Sequence, residues 1–418
     1  MRSITYEPGV LPAGRVRARL GGLLVASQSL PGVIGAQLGL VASGVLLPHL
    51  LAPADRGEVG IVFAAVATSA YFALLGQPTA VLIAARGHRS VPRDMLSHAI
   101  VNALKRALVL CAAVAVGLFA LGLASNLTLL ILAVAGAVAF VAVPFSAADL
   151  YAADQPRIAG ILEAAPTVAW AVGVLGLWLV FGTASIAQIA VCWFVCRLAV
   201  VGSALLVLRI RGRHAERGGA SLPSEHARVG SASFALLSPF EVVNPELYAP
   251  SLLIGPAASG IYIVAEAFLT LPRMVGTRLI PQVLSSGRNQ LTARKALLLV
   301  AAAGLGTAVL GYVLVPIIFP PDYSAAQQLV PILAAAAVLG SARRVIAATL
   351  VARGVATSPA LAEIVCWFVF AVILVSGTLS SLGLIEVAAA YLVAAGVSAV
   401  AQAMFQRAPQ LASIRAAQ

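Results

Sequence analysis

The sequence predicts an all-α integral membrane protein of about twelve transmembrane helices, arranged as two six-helix lobes that repeat one another. Three observations carry this. The 418 residues are 61% hydrophobic and only 10% charged, whereas a soluble chain of this size is roughly a quarter charged. Apolar runs of about 20 residues, the length needed to cross a bilayer, recur along the chain. The basic residues gather in alternate connections between those runs.

The first span is expected at 22–48. Arg15, Arg17 and Arg19 precede it as they would a signal peptide, but the apolar stretch from Leu20 to Leu51 far exceeds a signal core of roughly 7–15 residues. It reads as a helix that stays in the membrane. Further spans are expected at 60–84, 101–123, 127–149, 160–181 and 184–208. A second set follows at 231–254, 258–281, 296–319, 325–350, 360–380 and 385–405. Connections as short as Ser125-Asn126 and Gly182-Thr183 make their neighbours antiparallel.

Charge fixes the orientation. One set of alternate connections carries the N-terminal arginines, Arg86, Arg89, Arg93, Arg157, the run from Arg209 to Arg228, Arg288, Arg294, Lys295, Arg353, Arg407 and Arg415. The other set carries Arg56 alone. By the positive-inside rule both termini and the 209–230 loop face the cytoplasm, as expected of a multi-pass protein of the inner (cytoplasmic) membrane. The net charge of +12 is therefore a topology signal, and no nucleic-acid partner is expected. Cys111, Cys192, Cys196 and Cys366 all sit in apolar runs and read as small buried hydrophobes. No metal site or cofactor is expected, and neither a Walker-type phosphate loop nor a zinc motif is present.

A shift of 203 residues brings Pro53-Ala54, Gly57 and Pro78 onto Pro256-Ala257, Gly260 and Pro281. A shift of 200 brings Leu150, Ala152 and Glu163 onto Leu350, Ala352 and Glu363. Six spans per half give both halves one orientation, so an axis along the membrane normal relates them. The expected division is an N-terminal lobe 1–208, a basic cytoplasmic linker 209–230 and a C-terminal lobe 231–418.

Ionised groups inside spans are costly and functional by default. Here they include Glu163, Arg197, Glu241, Glu246, Glu266, Arg273 and Glu363, with Arg278, Arg343 and Arg344 nearer the inner ends. Glu266 and Arg273 share one face of the eighth helix with Tyr262. Their axial separation of roughly 10 Å predicts a polar stripe without direct contact. The seventh helix carries Pro239, Pro245 and Pro250 around Glu241, Asn244 and Glu246. Three prolines predict an interrupted helix, tolerated only against protein or water. Arg197, Glu241, Asn244, Glu246, Tyr262, Glu266, Arg273 and Arg278 are thus candidate cavity residues for substrate, while Glu163 and Glu363 are candidates for ion coupling.

With these residues in view, the stretch Leu51–Gly60, which leads into a helix ending Leu75-Gly76-Gln77-Pro78, resembles the first helix pair of polysaccharide and oligosaccharide flippases (Wzx-like). These belong to the multidrug/oligosaccharidyl-lipid/polysaccharide (MOP) exporter superfamily. Pro245-Glu246-Leu247 through Gly255-Pro256 and Gly260 to Tyr262, then Leu271-Pro272, is similar to that family's seventh and eighth helices, and the turn Phe319–Tyr323 is similar as well. The resemblance implies a MATE-like V-shaped cavity between the lobes. It implies a non-enzymatic carrier that moves a polyprenyl-phosphate-linked oligosaccharide across the membrane by alternating access, for cell-surface polysaccharide synthesis. It further implies that arginines such as Arg197, Arg273 and Arg278 hold the substrate's phosphates. Glycosyltransferases or a polysaccharide polymerase would be its working partners. The alternative is an H⁺- or Na⁺-coupled multidrug or metabolite antiporter, which requires a net-negative cavity where a phosphate carrier requires a net-positive one.

Overall fold

The structure is a computed structural model that describes residues 32, 34–74, 76–78, 81, 93–212, 240, 243–273, 275, 290–352, 357–377 and 382–417. Twelve helices follow in order: α1 (Ile34–Leu50), α2 (Pro53–Leu74), α3 (Arg93–Ala120), α4 (Leu127–Ala152, interrupted at Ala137), α5 (Pro156–Phe181), α6 (Ile186–Gly212), α7 (Pro245–Leu253), α8 (Pro256–Ala267), α9 (Gln290–Ile318), α10 (Ala326–Ala352), α11 (Thr357–Gly377) and α12 (Leu384–Ala417). Among the described residues, nine of these are long and apolar enough to span a membrane. The other three, α1, α7 and α8, are the described parts of the first, seventh and eighth expected spans. Large apolar side chains such as Val116, Leu179, Ile317 and Phe368 lie exposed, as a lipid-facing surface requires. The chain is a multi-pass membrane protein.

Local chemistry sets the helix ends. The Glu58 carboxylate on α2 accepts from the amides of Ser125 (2.8 Å) and Asn126 (2.7 Å), while Asn126 Oδ1 accepts from Leu129 N at 2.9 Å. The tight α3–α4 connection is thus capped from two sides. Gly182 ends α5 with φ of 71°, a conformation glycine adopts without steric cost. Ser185 and Gln188 then form a reciprocal cap that starts α6: Gln188 Oε1 accepts from Ser185 N, and Ser185 Oγ accepts from Gln188 N. Helix α6 continues to Gly212, past the start of the expected linker, and residues 213–239 lie outside the described residues.

Each half has its own core. Val59, Val62, Ala103, Leu129 and Ile189 lead the larger N-terminal cluster, and Ala139, Leu150, Ala159 and Ala204 form a second one. Phe240, Tyr262, Leu269, Leu329, Leu333 and Tyr391 form the C-terminal core. The halves meet chiefly where α2 packs against α8, and there the sequence repeat becomes geometry. A Cβ on Gly57 would strike the Pro256 carbonyl, and one on Gly260 would strike the Pro53 carbonyl. These four residues are the equivalents found by the 203-residue shift, so the contact is self-complementary, with the repeat axis running through it.

The connections poor in arginine gather at this same end. The α5–α6 connection joins there as Ala184 N donates to Leu50 O at 3.1 Å. Tyr323 Oη donates to Leu51 O at 2.8 Å, and His49 Nε2 lies 2.8 Å from Ile318 O. Both of these bonds tie one half to the other. Burial pushes the Tyr323 hydroxyl above its ordinary range, so it remains a donor at physiological pH.

The crossing predicts a stability effect. Gly57→Ala or Gly260→Ala places a methyl against backbone, and overpacking of this kind costs about 1–3 kcal/mol. Gly117→Ala meets nothing within 4 Å and is expected to be neutral or stabilising by up to about 1 kcal/mol. Thermal unfolding in detergent separates the two classes.

Candidate functional site

The hollow between the halves has a volume of about 750 Å³, within the range typical of small-molecule sites. Its N-terminal wall comes from α1 (Gln37, Ser43), α2 (Arg56, Phe63), α5 (Thr167, Trp170) and α6 (Trp193, Arg197). Its C-terminal wall comes from Leu247 on α7, Ile263, Glu266 and Ala267 on α8, and Thr270 and Arg273 just beyond. Three guanidiniums and one carboxylate therefore face the space.

Helix α8 loses its regular winding before Arg273. Leu269 N bonds to Glu266 O at 2.8 Å and Thr270 Oγ1 to Ala267 O at 2.7 Å. Pro272 supplies no donor for the preceding turn, and the local hydrogen bonds tighten in response. Arg273 then leans back toward the helix N-terminus. One guanidinium nitrogen bonds Glu266 Oε1, and the other reaches Glu246 Oε1 at 3.0 Å and Tyr391 Oη at 3.3 Å. This corrects the expectation of a stripe without contact: backbone spacing alone overlooked two long side chains that close the gap. Glu246 is fully buried behind the wall, so it anchors Arg273 and does not line the space. Tyr262 is likewise fully buried in the C-terminal core and does not border the cavity.

The break in α7 falls at Asn244, which adopts a left-handed conformation with φ of 49° immediately before Pro245 restarts the helix. Asn244 is half-buried, does not border the cavity, and its Oδ1 has no hydrogen-bond partner among the described residues. Upstream, the Phe240 amide donates to Glu363 Oε2 at 3.1 Å, and Glu363 Oε1 pairs with Arg343 at 3.0 Å. Arg343 also donates to Ser398 Oγ at 3.0 Å. Glu363 is thus tied into the wall of the C-terminal half, away from the cavity. Glu163 is exposed on α5, accepts from Tyr151 Oη at 3.1 Å and does not border the cavity either. Glu241 and Arg278 lie outside the described residues.

The opposite wall differs. Arg197 lies over the rings of Phe140 (4.6 Å) and Trp193 (5.0 Å), a cation–π arrangement that holds a guanidinium without neutralising it. Gly136 makes room for the Trp193 ring, which a Cβ there would strike. Arg56, only 7% exposed, reaches the cavity from the start of α2. Neither Arg56 nor Arg197 forms an ion pair among the described residues. Arg56 was not among the expected site residues. The signal was present nonetheless, because it is the one basic residue that breaks the segregation of charge between connections.

The hollow sits between the two six-helix halves, and several solved structures share this chain's fold. Lipid II flippase MurJ in an inward closed conformation gives a TM-score of 0.67 at 12% identity, covering 92% of this chain and 87% of that one. A multidrug resistance MATE family transporter of the MOP superfamily gives 0.65 in its inward-facing conformation, at 16% identity and covering 89% of this chain and 95% of that one. The outward-facing conformation of such a transporter gives 0.53 at 16% identity, with 93% and 95% covered. No family model matches the sequence, and neither does any curated protein.

The Arg273 cluster makes a testable demand. Arg273→Ala removes the cation shared by two carboxylates, and breaking a buried pair from one side costs about 3–5 kcal/mol. Adding Glu246→Gln and Glu266→Gln to that variant is expected to restore much of the lost melting temperature in detergent.

Proposed function

We propose that this chain is a flippase for a polyprenyl-phosphate-linked oligosaccharide, working by alternating access in the cytoplasmic membrane. One observation carries the reading: Arg56 and Arg197 face the cavity without an ion pair among the described residues, and the one carboxylate described on its wall, Glu266, is bound by Arg273. A guanidinium kept from water is costly unless paired, and its donors match phosphate in a bidentate fork. A diphosphate would supply the missing counter-charge. Cation extrusion fits less well, because Glu246 and Glu266 are already engaged by Arg273, and Glu363 by Arg343.

The interlobe bonds at the arginine-poor end support a state with access from the arginine-rich side. On this reading that side is cytoplasmic, where glycosyltransferases assemble the substrate, and a polymerase uses the product on the far side. Membrane lipids form the surround through which the polyprenyl tail stays in contact with the bilayer.

Reconstituted protein is expected to move a fluorescent polyprenyl-diphosphate-linked sugar across liposomes without ATP. Arg197→Ala and Arg56→Ala are each expected to slow it by about tenfold or more, the loss of at least one charge-assisted hydrogen bond of about 1.5–3 kcal/mol. Transport of ethidium-like cations, with the lipid ignored, would establish the antiporter in its place.

A further inference from the structure

Helix α3 carries two adjacent charges, Lys105 and Arg106, that do not border the cavity. They sit among exposed apolar side chains, with Val101 before them and Leu108, Val109 and Val116 after. Lys105 lies roughly 22 Å along α3 from its end at Ala120, and exposed Leu121 and Leu127 carry the apolar surface past that end. In a hydrocarbon layer of about 30 Å, this depth is the margin of the leaflet on the arginine-rich side. The counterpart helix of the other half, α9, differs. Its charges, Arg294 and Lys295, lie roughly 35 Å from Ile318, at headgroup depth. At the level of Lys105 it has Ala303, Gly304, Leu305 and Gly306. The shared fold therefore does not require charge at this place.

Snorkelling accounts for Lys105, an exposed side chain long enough to lift its ammonium toward the headgroups. It does not account for Arg106. That side chain is half-buried, and its Nε and Nη2 are covered by protein without a hydrogen-bond partner among the described residues. The open Nη1 is left to meet an anion. Neither Lys105 nor Arg106 forms an ion pair among the described residues. A guanidinium fixed in apolar surroundings and unbalanced is costly, and low polarity strengthens its pull on any anion that reaches it.

The surrounding face says which anion. Asn102 lies one helical turn before Arg106 and His98 one turn before Asn102, both exposed. A polar row thus runs from the charged pair toward the headgroups, while Val109 and Val116 continue the same side of the helix into the hydrocarbon. Basic pockets on helices at this depth suit anionic headgroups. A phosphodiester fits two adjacent cations, a glycerol headgroup offers hydroxyls to an amide and an imidazole, and acyl chains fit the apolar remainder. A zwitterionic lipid would bring its own ammonium against Lys105.

We infer that this face of α3 is the site of a resident anionic phospholipid. Lys105 and Arg106 hold its phosphodiester, Asn102 and His98 its headgroup hydroxyls, and Val109 and Val116 pack against its chains. The site lies on the outside of the N-terminal half, so the inference stands whatever cargo the cavity takes.

The test uses the full chain in nanodiscs containing phosphatidylglycerol or phosphatidylcholine with a photoreactive acyl chain, and mass spectrometry reads labelling of α3. Wild type is expected to label about fivefold more with phosphatidylglycerol, the scale of one basic residue at an anionic headgroup. The double variant Lys105→Gln, Arg106→Gln is expected to fall to the phosphatidylcholine level, with phosphatidylcholine labelling itself unchanged as the check on folding. Arg294→Gln with Lys295→Gln is expected to leave α3 labelling as in wild type. Equal labelling by the two lipids in wild type, or a preference that survives the double variant, overturns the inference. Loss of the preference on adding millimolar inorganic phosphate also overturns it, since the site would then be one for soluble anions.

Discussion

Two backbones touch where α2 crosses α8, and the rest of the molecule is arranged around that contact. Gly57 lies against the Pro256 carbonyl and Gly260 against the Pro53 carbonyl, an approach only residues without a Cβ permit. The contact is made by equivalent residues of the two halves, so it fixes their relation at one end of the membrane by symmetry. With the helices held together there, Arg56, Arg197, Glu266 and Arg273 line the space between the halves. The proline that starts each helix (Pro53, Pro256) also spares a backbone donor at the crowded crossing.

The two halves treat buried charge in opposite ways. In the C-terminal half each described intramembrane carboxylate is matched: Glu246 and Glu266 by Arg273, Glu363 by Arg343 and the Phe240 amide. The interrupted α7 is part of this scheme, because a helix broken at Asn244 exposes amides that a carboxylate can bond. In the N-terminal half Arg197 and Arg56 are held by packing, Arg197 against the Phe140 and Trp193 rings and Arg56 beside Gly60 at the α2–α8 crossing. Packing fixes a guanidinium without cancelling its charge. The result is a cavity with one neutralised wall and one positive wall, from a chain whose halves share a fold.

Much of this was readable in the sequence because membranes impose coarse rules. Span length, the segregation of arginines, the 203-residue repeat and the proline-broken α7 follow from bilayer thickness, insertion topology and missing amide donors, all of which leave local marks. The repeat was legible at Gly57 and Gly260, yet their mutual contact was not, since a shift finds equivalence and not proximity. Helix spacing puts Glu266 and Arg273 on one face, but backbone rise ignores how far an arginine leans back. In the sequence Arg56 stands out only as a topology exception, and its route into the cavity depends on a helix crossing that no local pattern encodes. The contact of Arg197 with the Phe140 and Trp193 rings joins α4 to α6, and aromatic residues in apolar spans carry no mark of which cation they will meet.

The latch at the arginine-poor end is slight. Beyond the glycine crossing, the described side-chain bonds between the halves there are Tyr323 to Leu51 and His49 to Ile318, each worth about 0.5–1.5 kcal/mol net. Beside the packing of α2 against α8, two bonds of this size add little to holding that end together. An end latched this lightly needs no strong force to part it.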